Sequence, residues 1–213
     1  MGAMGSIGGS GEDVAVDETM SVSISAGGMY ALKPWYAERL AGIRTLLVRQ
    51  GVSPNVLSVA GITFGALAGV CLWWVPQGWA ALMVAPLLAA RLAAANLDGA
   101  VARDSDRQTP AGSVLNEVGD RAAELAVLAG CLALAPGWLV LLTMLAASTP
   151  SWIALACAAA GLERPNGGPV GKTERCLLLG VLAAVPGSAT VLLVVITVGS
   201  VLTAVLRAVR MWR

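Results

Sequence analysis

The chain has 213 residues and not one histidine. That excludes His-based catalytic triads and histidine metal ligands, and leaves carboxylates, amides, Lys and Arg for any chemistry. Charge is scarce as well. Only 13% of residues are Asp, Glu, Lys or Arg, where a soluble domain carries about a quarter. The net charge of +1 gives no basis for binding nucleic acid, and no nucleic acid partner is expected. Cys71, Cys131, Cys157 and Cys176 sit in or beside apolar runs without a C-x-x-C pair. They read as small apolar side chains, not as a redox or metal site.

What fills the chain instead is apolar. Hydrophobic residues make up 57%, and the mean hydropathy is +0.75. With so little polar surface, the lipid bilayer is the expected partner and the expected fold class is an all-α membrane protein. Residues 1–28 are expected to stay outside the fold. "MGAMGSIGGSG" reads as tag and linker, and the acidic stretch after it has no period and lacks the basic start and apolar core of a secretory signal. Residues 29–213 form the expected domain.

Between 29 and 50, apolar residues alternate with Lys33, Arg39, Arg44 and Arg49. That pattern predicts an amphipathic helix lying in the headgroup layer, ended by "GVSPN" at 51–55. Six apolar segments follow, at about 55–75, 79–102, 110–135, 137–161, 172–187 and 189–210. They predict six transmembrane helices of about 20 residues; the fifth is short and the third carries charge. Basic residues gather in the turns 103–107 and 164–175 and at the C-terminus, whereas "VPQG", "APGW" and "VPGSAT" carry no charge. The positive-inside bias then puts both termini and the charged turns on the cytoplasmic side of a multi-pass cell membrane protein. Arg207, Arg210 and Arg213 read as headgroup anchors. Trp73, Trp74, Trp79 and Trp138 read as an interfacial belt at the uncharged face.

The acids concentrate in "NLDGAVARDSDRQTPAGSVLNEVGDRAAE", from Asn96 to Glu124. Gly112, Asn116, Asp120 and Glu124 recur every fourth residue and share one helix face. Asp120 lies about 15 Å along that helix from Pro110 at 1.5 Å per residue. A lone carboxylate near the bilayer centre costs about 2.5–3.5 kcal/mol. Glu117, Arg121 and Glu124 have the spacing of an ion-pair network on their own helix. Asp98 and Asp120 have no basic neighbour three or four positions away and need a cation from elsewhere. Facing each other with the Asn116 carbonyl between, they make an oxygen-rich site suited to Mg²⁺, Mn²⁺ or Ca²⁺. Gly99 leaves room for close approach, Arg103 suits phosphate, and Thr109 and Ser113 add hydroxyls. The residues point to a metal-bound phosphate or diphosphate.

The run Asp98-Gly99-x-x-Ala102-Arg103, then eight residues, then Gly112-x-x-x-Asn116-x-x-x-Asp120 resembles the signature of the CDP-alcohol phosphotransferases, D-x-x-D-G-x-x-A-R-x8-G-x3-D-x3-D. The "S-P-N-x-L-S" opening of span one and the "GK" start of span five are similar too. Two positions depart: Ala95 stands at the first Asp and Asn116 at the third. The resemblance implies transfer of a phosphatidyl-type group from a CDP-linked lipid to an alcohol, with CMP leaving. It implies one or two Mg²⁺ or Mn²⁺ ions held by Asp98, Asn116 and Asp120, with Asp120 also as general base. It further implies a CDP site of Asn55, Ser58, Gly99, Arg103, Thr109 and Gly112, and a homodimer. Asn96 and Glu117, one residue from the altered positions, are imperfect substitutes. Arg164, Lys172 and Arg175 read either as ordinary positive-inside bias or as a site for an anionic acceptor. Two other functions stay open: a weak or inactive relative that binds CDP-lipid, and a small transporter with an acidic ion path. Against the latter, no charge continues toward the other face.

Overall fold

The computed structural model describes residues 33–211, and among them every regular element is helical. Elements run α1 (Lys33–Arg39), α2 (Ala41–Arg49), α3 (Pro54–Trp74), α4 (Ala81–Asp104) and α5 (Pro110–Gly130). A short 3₁₀ turn, Cys131–Ala133, leads to α6 (Gly137–Ala159), α7 (Lys172–Ala184) and α8 (Ala189–Arg210). The tail expected at 1–28 lies outside the described residues, as does Arg213.

The expected breaks fall where local chemistry puts them. Gly51 takes a left-handed φ of 67°, and Pro54 and Pro110 each open a helix, where a missing N–H costs nothing. The helix expected over 29–50 is instead two short pieces within the described residues. α2 buries none of its side chains, and Arg44 reaches Asp104 at the end of α4, 3.0 Å away. Burial pushes the Tyr36 phenol above the usual range. Its hydroxyl stays protonated, 3.5 Å from the carbonyl of Ala89.

Helices occur at all six expected segments, but only α3, α4, α6 and α8 are long and apolar enough to cross a membrane. α5 carries Glu117, Asp120, Arg121 and Glu124. α7 has 13 residues, which span about 20 Å against a hydrocarbon core of about 30 Å.

The core reveals the topology. Its buried apolar residues come from the second half of α3 (Ala68, Leu72), the first half of α4 (Val84, Leu88) and the end of α5 (Val127, Leu128). They continue with the start of α6 (Leu139, Val140), the end of α7 (Leu179, Leu182) and the start of α8 (Leu193, Ile196). Such alternation is what successive antiparallel helices produce: one end of the bundle is dry and uncharged, and the polar halves meet at the other. The dry end is stitched by Gln77, whose amide donates to the Leu182 carbonyl at 3.0 Å and accepts from Gly187 N–H at 3.0 Å.

α3 and α5 pack backbone to backbone. A Cβ on Gly69 would overlap the Ala126 carbonyl, and one on Gly130 would overlap the carbonyl of Gly69. Overpacking of this kind costs about 1–3 kcal/mol. Gly69→Val should therefore lower the thermal unfolding midpoint in detergent clearly, while Gly180→Ala, which meets nothing within 4 Å, should not.

Candidate active site

The polar ends of α3, α4, α5 and α7 converge on two adjoining cavities. The smaller, of about 10 Å³, is lined by Ser58 and Gly61 from α3, Ala95 and Asp98 from α4, and Asn116 and Asp120 from α5. The larger, of about 600 Å³, shares Ala95, Asn116 and Asp120 with it and extends past α1 to the loop before α7.

Asp98 is 3% exposed. Its Oδ2 accepts from the Ser58 hydroxyl at 2.9 Å, and its Oδ1 from the Gly99 N–H at 2.6 Å. Asp120 has a different partner. The Lys172 ammonium, at the first turn of α7, lies 2.5 Å from its Oδ1. Four residues along α5, Glu124 accepts from Arg175 at 2.5 and 3.1 Å, with both side chains nearly fully buried. Glu117 binds Arg164 at 2.8 Å and Arg121 at 3.5 Å, and Arg121 also lies 3.7 Å from Glu124. The network expected on α5 is thus present, extended by cations from α7 and its preceding loop.

The other expected residues divide by place. Thr109 caps α5, its hydroxyl accepting from Gly112 N–H at 3.0 Å. A Cβ at Gly112 would lie 3.2 Å from Asn55 Oδ1, so Asn55, Thr109 and Gly112 cluster at the mouth of that helix. A Cβ at Gly99 would lie 3.4 Å from an Arg103 nitrogen, so the exposed Arg103 folds back along α4 over Gly99. Asn96 donates to the Leu92 carbonyl at 2.7 Å and lines the larger cavity. Arg164, Lys172 and Arg175 all border that cavity, each already paired with an acid.

Sequence reasoning missed two features. Arg91 is 1% exposed at the centre of α4 and donates to the Asp120 main-chain carbonyl at 3.1 Å and to Cys176 sulfur at 3.1 Å. Its signal was a lone arginine two helical turns before Asp98 in an apolar run. Arg207 and Arg210, expected as headgroup anchors, donate to main-chain carbonyls of Gly167, Pro150 and Asn166 at 2.8–3.0 Å. They tie the loop before α7 to α8. Gly168 permits that approach, since at its φ of +131° a Cβ would run into Thr203.

The small cavity is about the size of one water-sized particle and is faced by two carboxylates and an amide. Such hard oxygen donors fit one divalent cation. They do not fit two in the pattern the signature implies: Ala95 puts a methyl in the wall where a carboxylate would stand. Among the described residues no three His, Cys, Asp or Glu side chains gather as a metal group.

Asp98 on α4 and Glu124 on α5 are buried acids, and a cation-bordered cavity lies beside them. The small chamber between α3, α4 and α5 is faced by Asp98, Asn116 and Asp120, an arrangement suited to a phosphate-bearing substrate. The family model described as CDP-alcohol phosphatidyltransferase matches residues 51–211, and the chain belongs to that family. It is similar to inner membrane protein YnbA of Escherichia coli (strain K12), 29% identical over 154 residues, which are 71% of this chain and 77% of that one. It is also similar to the solved structure of Mycobacterium tuberculosis phosphatidylinositol phosphate synthase (PgsA1) with CDP-DAG bound. There the identity is 28%, the TM-score 0.64, and the match covers 80% of this chain and 92% of that one. For the same synthase in complex with manganese and citrate the identity is 27%, the TM-score 0.65, and the coverage 80% and 88%.

Two outcomes are expected. Arg175→Met strips the buried Glu124 carboxylate of both its close hydrogen bonds and leaves it the longer 3.7 Å pair with Arg121; breaking a buried pair costs about 3–5 kcal/mol. The substitution should lower the unfolding midpoint more than Arg164→Met, whose side chain is 48% exposed. Ala95→Asp combined with Asn116→Asp should tighten Mn²⁺ binding about tenfold or more in a direct titration, by adding two negative oxygen ligands.

Proposed function

We propose that the protein transfers a phosphatidyl group from CDP-diacylglycerol, or a related CDP-linked lipid, to an alcohol in phospholipid biosynthesis. The observation that carries this reading is the chamber shared by Asp98, Asn116 and Asp120 at the edge of a much larger cavity.

In this reading Asp98, Asn116 and Asp120 hold the divalent cation, Mg²⁺ or Mn²⁺. When bound, the ion neutralises diphosphate charge and favours the charge that develops on the leaving group. Ser58 fixes the Asp98 carboxylate by its hydrogen bond. Asn55, Gly99, Arg103, Thr109 and Gly112, which lie along the mouths of α3, α4 and α5, take the CDP part. Arg103 offers a planar guanidinium to phosphate oxygens. The acceptor hydroxyl oxygen forms a new bond to the phosphatidyl phosphorus, the bond from that phosphorus to the CMP oxygen breaks, and CMP leaves with the electron pair. Asp120 receives the hydroxyl proton. Lys172 engages its Oδ1, which orients the carboxylate and leaves Oδ2 outside that pair.

The same reading takes α5 and α7 as membrane spans alongside the four apolar ones, because the acids of α5 are matched by Lys172 and Arg175 on α7 and by Arg164 in the loop before it. α1 and α2 lie at the interface, and both termini and the site face the cytoplasm, as the charge bias requires. The family resemblance extends the reading to a homodimer.

Purified protein in vesicles, given CDP-diacylglycerol, Mg²⁺ or Mn²⁺ and a panel of alcohols, should release CMP. Chelation should abolish release, and Asp120→Asn should lower it by about 10²-fold or more, the range for loss of a general base. Nucleotide binding without release would make the chain a binding-only relative, in line with Ala95 and Asn116. Ion flux without either would make it a transporter.

A further inference from the structure

Five cations border the large cavity: Arg121, Arg164, Lys172, Arg175 and Arg207. Every one of them already has an acceptor. Lys172 holds Asp120, Arg175 holds Glu124, and Arg207 donates to the carbonyls of Gly167 and Pro150 at 3.0 and 2.8 Å. The other two, Arg164 and Arg121, converge on opposite oxygens of Glu117, at 2.8 and 3.5 Å. Glu117 is 25% exposed in its side chain and stands three residues before Asp120 on α5. It fills the place between two guanidinium groups that the acidic group of a ligand would otherwise take.

Resting on the phosphatidyl-transfer reading, we infer that Glu117 is a built-in counter-ion that sets the acceptor class. The cavity takes an uncharged polyhydroxy alcohol and turns away its phosphorylated form. A phosphate that enters between Arg164 and Arg121 has to displace a carboxylate tethered in place. It also leaves that carboxylate unpaired beside Asp120, and such like-charge crowding opposes binding. Hydroxyl groups carry no such penalty. Asn96, Asn166 and Thr173 line the same cavity with neutral groups that both give and accept hydrogen bonds.

The test uses the full chain in detergent and inorganic phosphate as the probe, followed by calorimetric titration. Glu117→Gln should bind phosphate roughly tenfold or more tightly than the unaltered chain, and adding Arg164→Gln should remove the gain. Equal phosphate affinity with and without Glu117→Gln would overturn the inference. In the CMP-release assay, glycerol and a cyclic polyol are each offered with and without a phosphate. The unaltered protein should turn over the neutral acceptors faster, and Glu117→Gln should narrow the ratio. Preference for the phosphorylated acceptors in the unaltered protein would also overturn it. If no acceptor releases CMP, the transfer reading itself fails, and the phosphate titration still decides whether Glu117 masks an anion site.

Discussion

The buried pair between Glu124 and Arg175 is the contact on which the polar end depends. Taking either charge out of water alone is prohibitive, so α5 and α7 are held together wherever both are buried. Helical spacing does the rest. Lys172 stands three residues before Arg175 and Asp120 four before Glu124, so fixing one rung aligns the next, Lys172 on Asp120 at 2.5 Å. Arg164, in the loop that leads into α7, then meets Glu117 one turn further along α5. Three acids on α5 are thereby matched in order by three bases from one continuous stretch of chain.

Much of this was legible from the chain alone, and the part that was not has a physical reason. The six apolar runs, the Pro and Gly breaks and the shared face of Gly112, Asn116, Asp120 and Glu124 are local periodicities, and the helices follow them. The signature spacing brought Asp98, Asn116 and Asp120 to one chamber. Which base meets which acid is a matter of helix pairing across 50 or so positions, as with Lys172 and Asp120, and no period records it. Arg91 stands two turns before Asp98 in the sequence, but that spacing names no partner; only its burial against Asp120 and Cys176 does. Arg207 and Arg210 carry the pattern of ordinary terminal charges, and only the folded loop before α7 gives them the carbonyls of Gly167 and Asn166. The single amphipathic helix expected near the N-terminus became two pieces, with a break at Leu40 between α1 and α2.

Against the signature that the sequence resembles, Ala95 and Asn116 stand at two positions where acids are expected. A site with fewer anions needs fewer cations. Arg91 adds to the balance from behind, reaching the Asp120 main chain and leaving its Nε buried without an acceptor. On the proposed reading, those positions and the basic residues around them belong to one electrostatic arrangement, in which protein-borne charge stands close to carboxylates of reduced number.

The chamber of about 10 Å³ and the cavity of about 600 Å³ meet at Ala95, Asn116 and Asp120. A partition that thin makes the two volumes thermodynamically linked. Any occupant of the chamber that draws on the Asp120 carboxylate alters how firmly an occupant of the cavity is held, and the reverse influence has the same size in free energy.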